Sequence, residues 1–311
     1  MKKLNVVYFG TPDFSVPSLE ILAHHPSINL KHIVSMPDRK AGRGMELKSP
    51  ETITYAKDSK ISFFQTDNIN KESEFLDKLE TEKIDAIIVL AFAQFLGDRI
   101  LKLPTLGCFN IHTSLLPKYR GAAPIQYAIL NGDNSSGVSI QKMVKQMDAG
   151  DLVWSHPVEI HPDETGGLLY TKLKFQAALS LNDFIYKLEN DELEFTKQDE
   201  NNVSFAPTLK REDGFLDFKN QTYQQIKYRV QALFPWPGTY CSLNSKRLKI
   251  YEVQESDHKL NPGEVFTRGN QLLVGTKDSS IRLVTIQLEG KKRCKDFELL
   301  NGFKSEFIIN K

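Results

Sequence analysis

The stretch LNVVYFG, from Leu4 to Gly10, decides the fold prediction for the first half of the chain. It is short, almost continuously apolar and ends at a glycine, which is typical of a strand buried on both faces. Similar runs recur at Leu30–Ser35, Ile61–Phe64, Ala86–Leu90 and Cys108–Ile111, with helix-like segments between them. Continuous apolar strands that alternate with helices predict an α/β fold with a doubly wound, mostly parallel sheet.

The alternation continues to residue 189 and then stops. Gly137–Met143 and Asp151–Ile160 are predicted strands, and a helix is predicted from Thr165 to Glu189. The polar, non-periodic segment Asn190–Val203 indicates a linker. Short strands separated by turns such as Asn261-Pro262-Gly263 then predict a small β-barrel or sandwich. We therefore expect an α/β domain over residues 1–189, a linker over 190–208 and a β-barrel domain over 209–311.

The composition is that of a soluble, two-domain protein, because the chain has 311 residues, 40% of them hydrophobic and 25% charged. No apolar segment approaches the length of a membrane span. The N-terminal stretch is broken by Gly10 and Pro12, unlike a signal peptide. The 3 cysteines are far apart and form neither a disulfide framework nor a CxxC metal motif. A cytoplasmic location is therefore expected.

Charge is distributed unevenly along the chain. Residues 209–311 contain 18 Lys and Arg against 12 Asp and Glu, whereas residues 1–208 contain 22 basic and 27 acidic residues. The basic excess in the second part, with the run Lys291-Lys292-Arg293-Cys294-Lys295, suits a surface that meets a polyanion. Chance, together with a solvated loop, explains the same pattern, and both interpretations stay open.

The segment GTPDF, Gly10–Phe14, follows the first predicted strand, where open α/β sheets bind ligands. It lacks the GxGxxG pattern, and Pro12 removes an N–H group that a phosphate cradle would use. A nucleotide-dependent oxidoreductase is therefore disfavoured. The segment instead predicts a tight turn in which Asp13 or Ser15 caps the following helix.

The segment NIHTSLLPKYRGAAP, Asn110–Pro124, follows the fifth strand. Asn110 and His112 are two residues apart, so in an extended chain their side chains leave on the same face. An amide donor beside an imidazole suits the oxyanion that forms when a carbonyl becomes tetrahedral. Farther on, the segment MDAGD supplies Asp148 and Asp151 on a glycine turn, and one of them is expected to pair with the imidazole. Because no serine or cysteine is placed as a nucleophile, we expect the attacking group to belong to the substrate, as in group transfer to an amine.

These motifs resemble those of the methionyl-tRNA formyltransferases over nearly the full length of the chain. The resemblance rests on GTPDF, PDRKAGRG (Pro37–Gly44), NIHTSLLPKYRGAAPIQ (Asn110–Gln126), QMDAGD (Gln146–Asp151), LKREDGFLDF (Leu209–Phe218) and FPWPGTY (Phe234–Tyr240). The third and fourth strings are typical of folate-dependent formyltransferases in general. The PDRKAGRG loop, the FPWP segment and the C-terminal domain narrow the resemblance to the tRNA enzymes. It implies a Rossmann-like formyltransferase sheet followed by an OB-like β-barrel.

The resemblance also implies roles for individual residues. The catalytic residues would be Asn110, His112 and Asp148. The formyl donor would be 10-formyltetrahydrofolate, with no metal, and its expected contacts are Ser114, Leu115, Leu116, Pro117, Leu90 and Phe92. The acceptor would be the methionine α-amino group of initiator Met-tRNA, with expected contacts at Arg39, Lys40, Arg43, Lys291, Lys292 and Arg293. A monomer is expected.

The loop Pro37–Pro50 is the segment that the resemblance assigns to the tRNA acceptor end. Taken by itself, the segment is better described as a long, flexible surface loop. Met45-Glu46 stands where the family usually has two basic residues, so this loop attracts RNA less strongly than is typical.

Two alternative functions stay open. A sister formyltransferase that acts on a small amine, such as glycinamide ribonucleotide or an amino sugar nucleotide, would share the catalytic residues and the donor. The Arg43 loop and the basic second domain argue against it. A non-catalytic tRNA-binding protein on the same scaffold would not need Asn110, His112 and Asp148.

Overall fold

A computed structural model describes residues 3–42, 44–301 and 308–309. The chain forms two compact units that interleave in sequence. The first comprises Met1–Gly121, Ser135–Glu159 and Tyr170–Ala206, and the second comprises Ala122–Asn134, Ile160–Leu169 and Pro207–Lys311. Within the described ranges, no helix combines the length and apolar character that a membrane crossing requires. The domain bounds expected from the sequence stay a prediction.

The described strands and helices follow the predicted alternation. The strands of the first unit are β1 (Leu4–Gly10), β2 (Ile28–Ser35), β3 (Arg39–Ala41), β4 (Glu46–Lys48), β5 (Phe63–Gln65), β6 (Ala86–Leu90), β7 (Gly107–His112), β8 (Arg120–Gly121), β9 (Ser135–Lys142), β10 (Leu152–Glu159) and β11 (Phe205–Ala206). The α-helices of the described residues are α1 (Val16–His24), α2 (Glu51–Asp58), α3 (Ser73–Thr81), α4 (Asp98–Lys102), α5 (Pro124–Leu130), α6 (Gly166–Glu189), α7 (Tyr223–Ala232) and α8 (Asp296–Asn301).

The first unit is built on a sheet of seven strands in the order β10-β9-β7-β6-β1-β2-β5. Neighbouring strands from β7 to β5 run parallel, and β9 and β10 add an antiparallel edge. The predicted doubly wound, mostly parallel sheet is confirmed. The chain continues from β1 to β2 on one side and later adds β6 on the other. The carboxyl ends of β1 and β6 therefore flank the switch point, where such sheets bind ligands.

An apolar core covers one face of this sheet. Phe75, Leu76 and Leu79 project from one side of α3, because residues three and four apart share a helix face. They pack with sheet residues that include Phe9 and Val89. Full burial of each such side chain stabilises the fold by about 1.5–3 kcal/mol. This packing holds the strands whose ends carry the polar motifs.

The turn after β1 differs from its prediction, because neither Asp13 nor Ser15 caps a helix with its side chain. The Ser15 hydroxyl donates to the Leu90 carbonyl at 2.7 Å and so ties the end of β1 to the end of β6. The Asp13 carboxylate instead accepts from the Tyr170 hydroxyl at 2.6 Å and from the Lys174 ammonium at 2.8 Å. Tertiary partners have replaced the local capping that the sequence suggests.

A buried histidine links three segments of the first unit away from the switch point. His32 on β2 bonds to the Ser62 hydroxyl through Nδ1, at 2.8 Å, and to the Glu82 carboxylate through Nε2, at 2.7 Å. Burial lowers the pKa of His32, and the hydrogen bond and charge of Glu82 offset this only in part.

We expect the free energy of unfolding to decrease between pH 7.5 and pH 5.5, partly through His32. Because its folded pKa lies below the unfolded value of about 6.5, the unfolded chain binds more protons in this range. The contribution is complete above the unfolded pKa and is lost as pH falls through the folded pKa. Urea unfolding at the two pH values measures the change, with His32→Gln as the control. Equal pH dependence in the parent and the variant would contradict the assignment.

The second unit is an antiparallel sheet domain, as the sequence predicts. Its strands are β12 (Thr239–Leu243), β13 (Lys246–Ser256), β14 (Val265–Arg268), β15 (Gln271–Gly275), β16 (Ser280–Leu288) and β17 (Cys294–Lys295). They lie in the order β12-β13-β16-β15-β14, and β17 pairs with β16. Alternate strand residues such as Leu248, Ile250 and Leu283 point into one core, against which Ile226 of α7 also packs.

An ion pair fastens α8 to the sheet of the second unit. The Asp296 carboxylate is fully buried, accepts from Arg282 Nε at 2.7 Å and also accepts from the Leu272 backbone N–H. Burial opposes ionisation of this carboxyl, but the hydrogen bonds from Arg282 and Leu272 outweigh it, and the pKa of Asp296 is lowered. The basic run at residues 291–295 leads directly into this anchored helix.

Candidate active site

Asn110 and His112 lie at the carboxyl end of β7, on one face of the sheet. Strand pairing aligns Asn110 with Val89 of β6 on one side and with Gln141 of β9 on the other. Directly opposed residues of an antiparallel pair share a face. The Gln141 side chain therefore lies beside Asn110 and forms part of the same polar cluster.

The Asp148 carboxylate is the centre of this cluster. Its Oδ1 accepts from Asn110 Nδ2 at 3.3 Å and from Gln141 Nε2 at 3.0 Å. Its Oδ2 accepts from the Gly121 backbone N–H at 2.9 Å. The backbone of Asp148 is in the left-handed region, at φ 52°, so neighbouring contacts must hold a conformation that few residues adopt. Of the two aspartates in the DAGD segment, the structure brings Asp148 to the histidine.

The His112 ring is buried and its orientation is set by two acceptors. Nε2 donates to the Tyr119 carbonyl oxygen at 2.8 Å, so this nitrogen carries a proton. Nδ1 lies 3.8 Å from Asp148 Oδ2, an ion-pair separation that is longer than a hydrogen bond. Nδ1 is therefore the ring nitrogen that is not engaged in a hydrogen bond among the described contacts.

A further set of polar side chains supports the backbone of the turn that carries Asp148. The sequence analysis did not identify these residues. The Gln198 carboxamide donates to the backbone carbonyls of Asp148 and Gly150, at 2.9 and 2.8 Å. Its oxygen accepts from Arg120 Nη2 at 2.9 Å. Arg120 is 1% exposed and also pairs with Glu200 at 2.8 Å. The Arg120 hydrogen bond lowers the pKa of Glu200.

The glycine of the DAGD segment is required by close approach. A Cβ at Gly150 would lie 1.7 Å from the Lys142 carbonyl oxygen, a separation that no side chain can occupy. The Gly150 N–H meanwhile donates to Gln141 Oε1 at 2.9 Å. Gln141 thus holds both ends of the turn, through Gly150 and through the Asp148 carboxylate.

The residues predicted to contact folate lie at the ends of β6 and β7. Leu90, Phe92 and Leu116 are buried. Ser114 is fully buried, and its hydroxyl donates to the Lys118 carbonyl at 2.6 Å. Leu115 and Pro117 are half-buried in the same turn. The structure therefore brings these residues to the expected edge of the sheet, and their role stays a prediction.

The loop predicted to contact tRNA is a β-hairpin formed by β3 and β4, not an irregular loop. Arg39 pairs with Lys48 in register, and Asp38 secures the hairpin base by accepting from Ser49 and Gln65. These two hydrogen bonds lower the pKa of Asp38. Arg39 and Lys40 are exposed. Arg43 lies outside the described residues.

The basic run of the second unit is exposed at Lys291, Lys292 and Arg293. The Arg293 guanidinium lies over the Tyr251 ring, 4.2 Å from its centroid. Arg247 lies over the Tyr240 ring at the same distance. These two cation–π contacts place guanidinium groups over aromatic rings of this unit, and whether the basic run contacts RNA stays a prediction.

Asn110 and His112 held beside one carboxylate, at the carboxyl edge of a doubly wound sheet, are suited to transferring a carbonyl group. Residues 2–184 match the model of the formyl transferase family, and residues 208–304 match that of the formyl transferase C-terminal domain. The chain therefore belongs to the formyl transferase family.

Relatives that match over nearly the full length of the chain identify its group within the formyl transferase family. The methionyl-tRNA formyltransferase of Halothermothrix orenii is 37% identical over 309 residues, which cover 96% of this chain and 97% of the relative. That of Geobacter metallireducens is 35% identical, with 98% of each chain covered. These matches place the chain among the methionyl-tRNA formyltransferases.

Solved structures of more distant proteins share the fold. The N-formyltransferase from Helicobacter canadensis, in complex with folinic acid and dTDP-3-aminofucose, superimposes with a TM-score of 0.66 at 21% identity over 91% of this chain and 99% of that one. HypX from Aquifex aeolicus, in complex with tetrahydrofolic acid, gives 0.60 at 14% identity over 97% of this chain. The present chain spans 50% of HypX.

Proposed function

We propose that this chain transfers the formyl group of 10-formyltetrahydrofolate to the α-amino group of initiator methionyl-tRNA, which yields N-formylmethionyl-tRNA for translation initiation. The observation that carries the proposal is the placement of Asn110 and His112 side by side, both oriented by Asp148, in a chain that matches methionyl-tRNA formyltransferases over its full length. Because the proposed acceptor is an aminoacyl-tRNA, we place the reaction in the cytoplasm. The monomeric state stays a prediction.

The geometry supports stabilisation of an oxyanion. Attack of the free amine on the formyl carbon turns the formyl oxygen into an oxyanion, which needs preorganised donors. Asn110 Nδ2 supplies one N–H. His112 Nδ1 supplies the second only if the ring is doubly protonated, because Nε2 already donates to Tyr119. The Asp148 carboxylate faces Nδ1 and balances the charge of that imidazolium. As the oxyanion collapses, the bond between the formyl carbon and N10 of the donor breaks, the proton lost by the amine passes to N10, and the formyl group stays on the amine while tetrahydrofolate leaves.

The folate donor would be held at the ends of β6 and β7. Leu90, Phe92 and Leu116 offer apolar side chains that suit a flat ring system. The Leu90 carbonyl already accepts from the Ser15 hydroxyl, and the Ser114 hydroxyl already donates to the Lys118 carbonyl. We therefore propose that other backbone groups of these segments recognise the polar atoms of the folate ring.

The tRNA acceptor would be held by two basic surfaces. Arg39 and Lys40 on the β3–β4 hairpin, with Arg43, are proposed to meet the acceptor end. Lys291, Lys292 and Arg293 are proposed to meet the phosphate backbone without sequence preference. Exposed guanidinium and ammonium groups suit both kinds of contact.

Purified protein tests the function directly. Formyl transfer from 10-formyltetrahydrofolate is followed with initiator Met-tRNA, glycinamide ribonucleotide and an amino sugar nucleotide as acceptors, and Asn110→Ala serves as the inactive reference. We expect transfer to Met-tRNA alone. Transfer to a small amine instead would establish the sister activity, and tRNA binding without transfer to any acceptor would establish a non-catalytic protein.

We also expect the double variant Lys291→Gln/Lys292→Gln to bind every tRNA more weakly and with less salt dependence. Each phosphate contact that is lost reduces the slope of log affinity against log salt by about 0.7–0.9. Two contacts therefore flatten it by about 1.4–1.8. The charge-matched control is Lys78→Gln/Lys102→Gln on exposed sites of α3 and α4. An unchanged slope in Lys291→Gln/Lys292→Gln would show that this run is a solvated loop that does not contact tRNA.

A further inference from the structure

The segment that the sequence predicts as a linker contacts the catalytic turn of the first unit. Thr196 forms an isolated bridge with Leu152, and β11 pairs in parallel with β8, the strand that begins at Arg120. The Ser204 carbonyl accepts the Arg120 N–H at 2.9 Å, and the Ser204 hydroxyl accepts the Tyr119 N–H at 3.0 Å. The polar residues between these two anchors are therefore held against the turn that carries Asp148.

Gln198 lies between the anchors and uses both ends of its carboxamide. Nε2 donates to the carbonyls on either side of Ala149, which belong to Asp148 and Gly150. Oε1 accepts from Nε and Nη2 of Arg120, at 3.1 and 2.9 Å. Because Arg120 is fully buried, its guanidinium fixes the plane of the carboxamide, and the carboxamide in turn fixes both carbonyls of the turn.

We propose that Gln198 is a positioning residue for formyl transfer: it clamps the turn 148–150 and so aims the Asp148 carboxylate at Asn110 and His112. The inference rests on the proposed function. Asp148 has a left-handed backbone, which persists only where the surroundings hold it. The Gln198 clamp acts on its backbone, while Gln141 and Gly121 hold its carboxylate. Gln198 itself touches neither Asn110 nor His112 among the described hydrogen bonds.

The chemistry of the clamp distinguishes glutamine from its closest replacements. A methionine in place of Gln198 would match the size of the side chain but would leave two carbonyls and a buried guanidinium without their partner. A glutamate there would keep an acceptor for Arg120, yet it would place an oxygen against the carbonyls of Asp148 and Gly150. Both Gln198→Met and Gln198→Glu should therefore loosen the turn, although only the first leaves Arg120 without this acceptor.

The test compares Gln198→Met, Gln198→Glu, Asp148→Asn and the double variant Gln198→Met/Asp148→Asn in the full chain. We expect each Gln198 variant to lower kcat about 10- to 100-fold, the cost of a small misplacement of a catalytic group. KM for Met-tRNA and for the folate donor should stay within about twofold. The double variant should lose little beyond Asp148→Asn alone, because two residues that act through one group are not additive.

Glu194→Gln is the matched control, because Glu194 is an exposed residue of the same segment and has no contact with Arg120 or Gln198 among the described hydrogen bonds and ion pairs. It should keep kcat near that of the parent. Thermal unfolding and folate binding are measured on every variant, so kcat refers to folded protein. The proposal is overturned if kcat stays within twofold in both Gln198 variants, if the losses multiply in the double variant, or if activity falls only in proportion to folded protein. A parent protein that transfers no formyl group would instead overturn the proposed function.

Discussion

Replacing His112 by alanine should lower kcat for formyl transfer to Met-tRNA by about 10²–10⁴-fold, the range for loss of an oxyanion donor or acid–base group. The ring is buried, donates to Tyr119 through Nε2 and turns Nδ1 toward Asp148, so alanine removes the donor and leaves water in its place. Steady-state kinetics with Met-tRNA measures the loss, and equilibrium binding should show folate affinity nearly unchanged.

The control for this variant is His156→Ala, which makes the same chemical change at an exposed histidine of β10. It should keep the parent rate. Asn110→Ala removes the other proposed donor and should fall in the same range as His112→Ala. Near-normal turnover of His112→Ala would show that the oxyanion is stabilised elsewhere.

Asp148→Asn should reduce kcat by a comparable amount, about 10²–10⁴-fold, although the two side chains have nearly the same size. The carboxylate accepts N–H groups on both oxygens, from Asn110 and Gln141 on one and from Gly121 on the other. An asparagine must turn its own NH₂ toward one of these donors, which leaves a buried donor unsatisfied. It also removes the negative charge opposite Nδ1 of His112.

Asp151→Asn provides the comparison for Asp148→Asn, because it changes the other aspartate of the same DAGD segment. Kinetics and thermal unfolding are measured for both variants. We expect Asp151→Asn to retain most of the parent kcat. If Asp151→Asn were the more damaging variant, the catalytic carboxylate would have been assigned to the wrong residue.

The sequence determined the architecture through patterns that lie within single strands and helices. Short apolar runs such as Leu4–Gly10 and Ala86–Leu90 are best satisfied by strands covered on both faces, which favours a parallel sheet. The i, i+2 spacing of Asn110 and His112 likewise predicts one shared face of β7, as found. The basic excess after residue 209 and the antiparallel β pattern also follow from composition and periodicity alone.

The segment predicted as a linker, which stays a prediction, shows what such reasoning does not reach. The segment 190–208 is polar and lacks periodicity, yet Thr196, Gln198 and Ser204 are held by partners that are distant along the chain, such as Leu152, Asp148 and Tyr119. Local composition carries no signal for hydrogen bonds of that span. The β3–β4 hairpin is similar, because its base is secured by Gln65, a residue of another strand.

The sequence by itself therefore determined that the sheet is mostly parallel, which motif follows which strand, and that Asn110 and His112 form a pair. Each of these conclusions depends on spacing within one element. Spacing alone left open whether Asp148 or Asp151 meets the imidazole, and the family resemblance implied Asp148. The tertiary structure shows how Asp148 is held there, by bringing Gly121, Gln141 and Asn110 around its carboxylate. The tertiary structure also decided that Gln198 donates to the backbone carbonyls of the turn 148–150. The physical reason is that a carboxylate is oriented by all of its donors together, and here those donors come from three separate segments of the chain.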